Sequence, residues 1–405
     1  MAAAGGPNWH FSDELYREAT SEVVESGHAP LLRADVREVP GLVPGKRSFV
    51  VLWSTPTFKD VDGHYAFRVL DSRLGGLSQG GPRGGVEQTW ALVPSSGNTA
   101  EGAARAAALY QAQTGARVAA LLLVPEVSAY KVASEAVDWN PAAKLVVVRN
   151  SSLDELRELA VEVGAALEER AGVRAFTAGF DLKAAAHAQV ALVLKDAGLL
   201  DAEACYVQAV SGGAGPAGFT DGAARLGANP EVLLVQPREE GASPLVEALD
   251  VHERGGDPLA FLSDVAHEPS KFEPTLASTN PAPAVEKLVR WKVAGGRLRT
   301  EKVSPGDLLK VRGTLARALV RTGAFSTAAQ ALHYFEVEKS GFLALAGAAA
   351  AALEGKLEAP NVVVNFTGRL PSNISGFHRP ATPADVAAPS ELVEAALGLV
   401  TREAP

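Results

Sequence analysis

Apolar residues in this chain fall into short runs set about one helix apart. The runs at 49–53, 89–93, 118–124, 145–148, 206–210, 232–235 and 362–366 have the length and aliphatic character of buried strands. Between most of them the segments 100–114, 152–170, 183–197, 216–226, 304–322 and 340–354 carry helical patterns. That alternation predicts βαβ units and parallel sheets, an α/β fold. Ser152 and Glu155 stand at capping-box spacing ahead of an apolar-periodic segment, which marks a helix start. Two tracts break the pattern. Residues 75–85, GGLSQGGPRGG, have no apolar face and predict a surface loop, and their glycines do not match GxGxxG. Residues 252–283 mix proline, glycine and polar side chains and predict an irregular connection, solvated or covering a site. No internal repeat is present.

A chain of 405 residues is usually too long for one compact domain, so two are expected. Hydrophobic residues at 47% and charged residues at 21% describe a globular protein, and only 6% aromatics point to an aliphatic core of closely packed helices and parallel strands. The formal charge of −9 removes the simplest electrostatic case for nucleic acid or an anionic membrane as partner. The lone Cys205 excludes an intrachain disulfide, fits a reducing compartment, and lies in an apolar stretch that suits a buried thiol. The start of the chain lacks a basic segment followed by an apolar run, and the alanine-rich stretch 342–353 is too short to span a bilayer. A cytoplasmic protein is therefore expected. Eight scattered histidines include no HxxxH pair, so no metal site is expected, and there is no Gly-x-Ser-x-Gly elbow. Lys183 and His187, four apart, share a helix face that would meet an anion or form a solvated polar stripe.

Three segments carry chemistry. In the first, Phe58-Lys59-Asp60 follows an apolar strand and the proline turn Ser54-Thr55-Pro56-Thr57. A lysine that forms a Schiff base needs a partly desolvated pocket favouring its neutral form, whereas most lysines are solvated surface charges. The second, Ser95-Ser96-Gly97-Asn98-Thr99, joins the strand 89–93 to the helix 100–114. Free backbone N–H groups and small hydroxyl or amide side chains there can cradle a carboxylate or serve only as a helix cap. The third, Ser211-Gly212-Gly213-Ala214-Gly215-Pro216, lies between strand 206–210 and a helix beginning near Pro216. Glycines that turn their amides inward, a helix dipole and a first-turn proline suit a phosphate, and they also suit a plain tight turn.

Taken in order, the three segments resemble the threonine synthase branch of the fold type II enzymes that use pyridoxal 5′-phosphate (PLP), with its Phe-Lys-Asp and Ser/Thr-Gly-Asn-Thr motifs. Gly27-His28-Ala29-Pro30-Leu31 is similar to an early Gly-x-Thr-Pro-Leu, Glu338-Lys339-Ser340-Gly341 to a Glu-Pro-x-x-Ala helix start, and Phe366-Thr367-Gly368 to a late Thr-Gly. The resemblance implies a large domain of roughly 1–55 plus 171–405 and a small one of roughly 56–170, with PLP in the cleft between them. It implies that Lys59 carries the cofactor and moves protons, that Asn98 bonds the ring hydroxyl, that Gly212, Gly213, Ala214 and Gly215 hold the phosphate, and that Thr367 faces the ring nitrogen. Ser95, Ser96, Gly97 and Thr99 are the implied contacts for the substrate carboxylate or its leaving phosphate. A homodimer is the assembly the family suggests.

The chain departs from the pattern in ways that bear on substrate. Both asparagines of the usual Gly-Asn-x-Gly-Asn loop are replaced, by Gly213 and Pro216. Where the family has Asn-Ser-x-Asn followed by arginine, this chain has Phe176-Thr177-Ala178-Gly179-Phe180-Asp181-Leu182-Lys183. Thr177 keeps a hydroxyl, and Lys183 would replace the arginine as a point charge without its bidentate fork. The stretch Gln208–Gly215 is closer to cysteate synthase. The leading expectation is loss of phosphate from a small phosphorylated amino acid such as phosphohomoserine, followed by addition of water. The alternative is β-replacement on phosphoserine or a related amino acid, in primary or specialised biosynthesis. A non-catalytic descendant that binds a ligand is the third.

Overall fold

A computed structural model of the protein describes residues 34–53, 58–60, 62–63, 66–67, 88–177, 179–276, 278–368 and 379–402. The expected loop 75–85, residues 27–31, residues 54–57 ahead of Lys59, His64 and Ala178 lie outside these. Among the described residues there are eleven strands: β1 (Ala34–Glu38), β2 (Arg47–Trp53), β3 (Thr89–Pro94), β4 (Val118–Pro125), β5 (Ala143–Val148), β6 (Arg174–Thr177), β7 (Ala204–Ala209), β8 (Glu231–Pro237), β9 (Arg297–Val303), β10 (Asn361–Asn365) and β11 (Asp385–Ala387). They divide between two compact units, one of residues 59–183 and 379–402, the other of 34–58 and 184–368.

The unit that begins at Lys59 is built on a parallel sheet in the order β11-β5-β4-β3-β6. Its strands are apolar on both faces because both are covered. Ala91, Val93, Ala120 and Leu122 pack against the alanine face of the helix Asn98–Thr114. Trp90, Leu92, Leu121 and Val146 pack against the helices Leu153–Ala166 and Leu392–Thr401. The helix at 153 starts as expected: the Ser152 hydroxyl accepts from the Glu155 amide at 3.1 Å and the Glu155 carboxylate accepts from the Ser152 amide at 3.4 Å. It ends at Ala166 in a π turn, Leu167–Ala171, rather than running to 170 as one α-helix.

The other unit carries a six-stranded sheet in the order β1-β2-β10-β7-β8-β9, antiparallel only at β1–β2. Helices Pro305–Arg321, Ala328–Val337 and Lys339–Leu353 bury their apolar faces on Val50, Leu52, Val207, Leu233, Val235 and Val364. Cys205 lies in this core, where burial pushes its thiol pKa well up, as suits a structural thiol. Helix 183–197 is two helices, Phe180–His187 and Gln189–Asp196. Within the tract expected to be irregular, Asp257 caps a short helix, Pro258–Asp264, through the amides of Leu259 and Ala260.

The expected domain boundaries need correction at two places. Residues 171–183 and 379–402 belong with Lys59 and not with the larger unit. Strand pairing decides this, since β6 pairs with β3 and β11 with β5, and Leu392, Ala396 and Val400 fill the core under β5. Among the described residues no helix is long and apolar enough to cross a membrane.

Replacing Ser152 by alanine removes the capping hydroxyl and is expected to lower the free energy of unfolding by about 1 kcal/mol, read from urea titrations of both proteins. An unchanged midpoint would mean that the box contributes nothing to stability.

Candidate active site

Lys59 sits on a turn held against the helix Asn98–Thr114 from two sides. Its neighbour Asp60, buried, accepts from Arg105 through both oxygens, with Nη2 at 2.6 Å and Nε at 3.1 and 3.2 Å. Arg105 also donates to Glu101 at 3.3 Å, and the other oxygen of Glu101 accepts from the Ala133 amide at 2.7 Å. The backbone comes closest at Gly102, where a Cβ would lie 2.5 Å from the Lys59 carbonyl oxygen and 2.7 Å from its carbon. Glycine at 102 is therefore the condition for the turn. The Lys59 side chain is 24% exposed, and its ammonium lies 3.6 Å from a carboxylate oxygen of Asp62, itself buried.

The Ser95–Thr99 segment is the loop between β3 and that helix. Ser95 points inward, and its oxygen accepts from the amides of Gly97 and Ala100, each at 3.0 Å. The role it takes in the structure is the helix cap, the plainer of its two possible roles, and its burial explains why. Gly97 adopts φ 133°, which only glycine enters readily, and packs on the buried Lys131. Ser96, Asn98 and Thr99 are half-buried at the mouth of the turn.

Thr177 closes β6, and Lys183 follows on the helix Phe180–His187; both are half-buried. Burial pushes the Lys183 ammonium down to about 8, helped by the positive charges of Arg157 and Lys59 and opposed by Asp62. Three cations therefore share one neighbourhood, with Asp62 between them in charge. Arg157 also pairs with Asp154. His187 does not share that setting. It is fully buried and stacks on Phe58, ring centroids 4.6 Å apart, so it supports the residue before Lys59.

In the other unit, three neighbouring parallel strands, β2, β10 and β7, end at the same edge of the sheet. Their ends lead to Phe58, to Thr367-Gly368 and to the loop 210–213. That is the edge at which open α/β sheets bind ligands, where the chain's course along the sheet reverses. The Phe58 amide donates to the Gly368 carbonyl at 3.3 Å, which ties the segment entering Lys59 to the one carrying Thr367. A Cβ on Gly368 would come 2.8 Å from Glu338 and 2.9 Å from the Tyr334 hydroxyl, so both side chains line the backbone beside Thr367.

The glycine loop ends at the N-terminus of the helix Ala214–Arg225, which has no side-chain cap, so its first amides are available to an anion. Gly213 has φ 77°, and a Cβ there would strike Ala284 and Leu245 at 2.5 Å. Ser211 accepts from the Ser278 amide at 3.1 Å. Uncapped amides and a turn that only glycine can make fit a phosphate group, which satisfies the main requirement for holding PLP. Arg105, Glu101, Asp62 and Arg157 belong to no motif visible in the sequence. The Glu101–Arg105 spacing of one helical turn is the available signal, but such pairs are usually surface ornaments.

No protein-family model and no curated protein matches the chain. Solved structures do. Maize serine racemase superposes with a TM-score of 0.59 at 16% identity, over 89% of this chain and 95% of that one. Diaminopropionate ammonia lyase from Escherichia coli gives 0.56 at 16%, over 92% and 94%. The threonine deaminase of T.th. gives 0.53 at 22%, over 87% and 97%. A pyridoxal 5′-phosphate-dependent aspartate racemase gives 0.55 at 17% identity, over 87% and 94%. At such identities the likeness is one of fold. The chain has the α/β fold of the type II PLP-dependent enzymes.

Two substitutions test this geometry. Gly102→Ala forces backbone apart at Lys59 and is expected to cost about 1–3 kcal/mol of stability in urea unfolding; a neutral result would mean that the turn is not held by this approach. For Lys183, the proton is bound more tightly in the unfolded chain, where its value is near 10.5, than in the folded one, where it is about 8. Stability is thus expected to rise with pH across that window, because the cost of the buried charge is present below it and gone above it. The difference between the wild type and Lys183→Met, followed by unfolding from pH 7 to 10.5, should show that rise. A flat difference would place the ammonium in solvent.

Proposed function

We propose that the protein is a PLP-dependent lyase that removes phosphate from a small phosphorylated amino acid, phosphohomoserine in the leading case, and adds water. The supporting observation is the shared sheet edge: the segment entering Lys59, Thr367-Gly368 and the glycine loop end three adjacent strands, with Phe58 bonded to Gly368. The fold is one found in a threonine deaminase, a diaminopropionate ammonia lyase and a PLP-dependent racemase.

In this reading the amides of 212–215 hold the cofactor phosphate, Asn98 the ring hydroxyl, and Thr367 the ring nitrogen. When bound, PLP supplies an electron sink for the negative charge left at the substrate α-carbon. Lys59 takes the α-proton and then a β-proton at Nζ, and returns protons to the γ-carbon once phosphate has left and to the α-carbon at the end, with Asp62 steadying its charged form. The amides of the 96–99 loop receive the substrate carboxylate. Lys183 and Arg157 attract the distal phosphate and stabilise it as it leaves, and water then adds at the β-carbon. Neighbouring cations are what a second anion on the substrate requires.

β-Replacement on phosphoserine is the second reading, and the exchange of the family's arginine for Lys183 together with the Gln208–Gly215 sequence favours it. Both readings are separated by one experiment. Purified protein given PLP should develop a visible absorbance band that borohydride bleaches, leaving a pyridoxyl group on Lys59 in peptide mass spectra; Lys59→Ala should show neither. The same preparation should release inorganic phosphate from phosphohomoserine and form threonine. Release only from phosphoserine, with cysteate formed when sulfite is added, would shift the assignment to β-replacement. The absence of any band after addition of PLP would overturn both.

A further inference from the structure

We infer that Gln208 is a further phosphate-binding residue, its side-chain amide N–H held ready under the glycine loop by a directed chain of hydrogen bonds from Trp53. The inference rests on the reading that this loop receives the cofactor phosphate, and it adds a contact from the strand beneath. Gln208 is the penultimate residue of β7, the strand that feeds Ser211, and is only 5% exposed.

The chain of bonds begins at an indole. Trp53 Nε1 donates to Asn365 Oδ1 at 2.7 Å. An indole N–H can only donate, so it fixes the Asn365 amide with oxygen toward Trp53 and nitrogen away from it. Asn365 Nδ2 then donates to the Tyr206 hydroxyl at 2.5 Å and to Gln208 Oε1 at 3.4 Å. The Tyr206 hydroxyl, having accepted, donates to Gln208 Oε1 at 2.5 Å. Burial pushes the Tyr206 pKa far above its ordinary value, which keeps that proton in place. Every bond runs the same way, and the sense is set at the donor-only end.

The consequence falls on Gln208. With its oxygen committed to Tyr206 and Asn365, its Nε2 faces Gly215, where a Cβ would lie 2.5 Å from that nitrogen. Glycine at 215 leaves the amide uncovered. Nε2 has no acceptor among the described residues. Among them the donor is thus unpaired, in a residue that is otherwise enclosed, and the acceptor it lacks belongs on the side of the uncapped helix start at Ala214. An anionic oxygen satisfies both the amides and Nε2. The four side chains also lie on β2, β10 and β7, so the same chain of bonds ties together the strands that lead to Phe58, Thr367 and the loop.

Three probes distinguish this contact from general support: PLP, pyridoxal, which lacks the phosphate, and inorganic phosphate, each titrated against the apoprotein and read by tryptophan fluorescence and equilibrium dialysis. Gln208→Met keeps the shape and removes the donor. It is expected to weaken PLP and inorganic phosphate by about tenfold and to leave pyridoxal unchanged. Equal weakening of PLP and pyridoxal would assign Gln208 a merely structural role and overturn the inference, as would unchanged affinity for all three. If the wild type binds phosphate but not PLP, the enzyme reading falls and the phosphate comparison alone decides Gln208. If it binds neither, both fall. Should circular dichroism show Gln208→Met unfolded, Trp53→Phe decides instead: it frees the Asn365 amide to turn over, with an expected selective loss of about threefold, and no change there overturns the inference.

Discussion

The approach of one turn to one helix governs the Lys59 unit. Without a side chain at Gly102 the Lys59 carbonyl can rest on the helix Asn98–Thr114, and the alanines around it keep that surface shallow. Close packing brings Asp60 within reach of Arg105, and Arg105 within reach of Glu101. Such buried charges are poor stabilisers in themselves, because desolvation offsets most of their attraction. They are strong at fixing geometry, since removing one partner leaves the others buried and uncompensated. Here they hold the backbone of Lys59, whose ammonium lies 3.6 Å from Asp62.

The second unit solves a different problem, that of giving direction to the proposed anion site. Glycine loops at helix starts offer amides to any anion. In this chain the sheet beneath the loop adds a polar side-chain network where an aliphatic core would be the ordinary choice, and Trp53, Tyr206, Gln208 and Asn365 are all buried. A network of this kind is stable only when each donor has an acceptor. Its polarity is not arbitrary, because a residue that can only donate stands at one end. Ser278 bonds Ser211 and Ala284 packs on Gly213, so the loop is shaped by residues distant in sequence.

Much of the fold was legible because the central strands are buried on both faces and so appear as unbroken apolar runs. The strands missed are those where that logic fails. β9 reads Arg-Leu-Arg-Thr-Glu-Lys-Val because it is an edge strand whose charged side chains find carboxylate or cationic partners, Arg299 on Glu231, Lys302 on Glu247 and the buried Glu301 on Lys356. β1, reading Ala-Asp-Val-Arg-Glu, is the other edge strand of the same sheet, and β6 and β11 have four and three residues, too few for periodicity. The return of 379–402 to the first unit depends on a pairing across more than two hundred residues, which no local pattern encodes. At the candidate site, the glycine and lysine segments stood out in the sequence because backbone shape and amine chemistry restrict the residue type. Ser95 was ambiguous, since one hydroxyl can cap a helix or meet a ligand, and only its orientation decides. Arg105 and Gln208 were silent, because their roles arise from partners far along the chain.

Lys183 shows how charge and burial combine. An arginine in its place would keep its proton at any ordinary pH and offer two parallel donors. A lysine in the same surroundings answers to its neighbours, and burial with Arg157 and Lys59 nearby brings it to about 8. A dianionic group arriving among these three cations would favour their charged forms, so ligand binding and proton uptake at Lys183 are thermodynamically linked. In the proposed reading, the same linkage would favour a substrate with a second anion over one without, because only the former would offset the desolvation of the ammonium. In the proposed reading, specificity at this position would come from the state of a proton rather than from the shape of a fork.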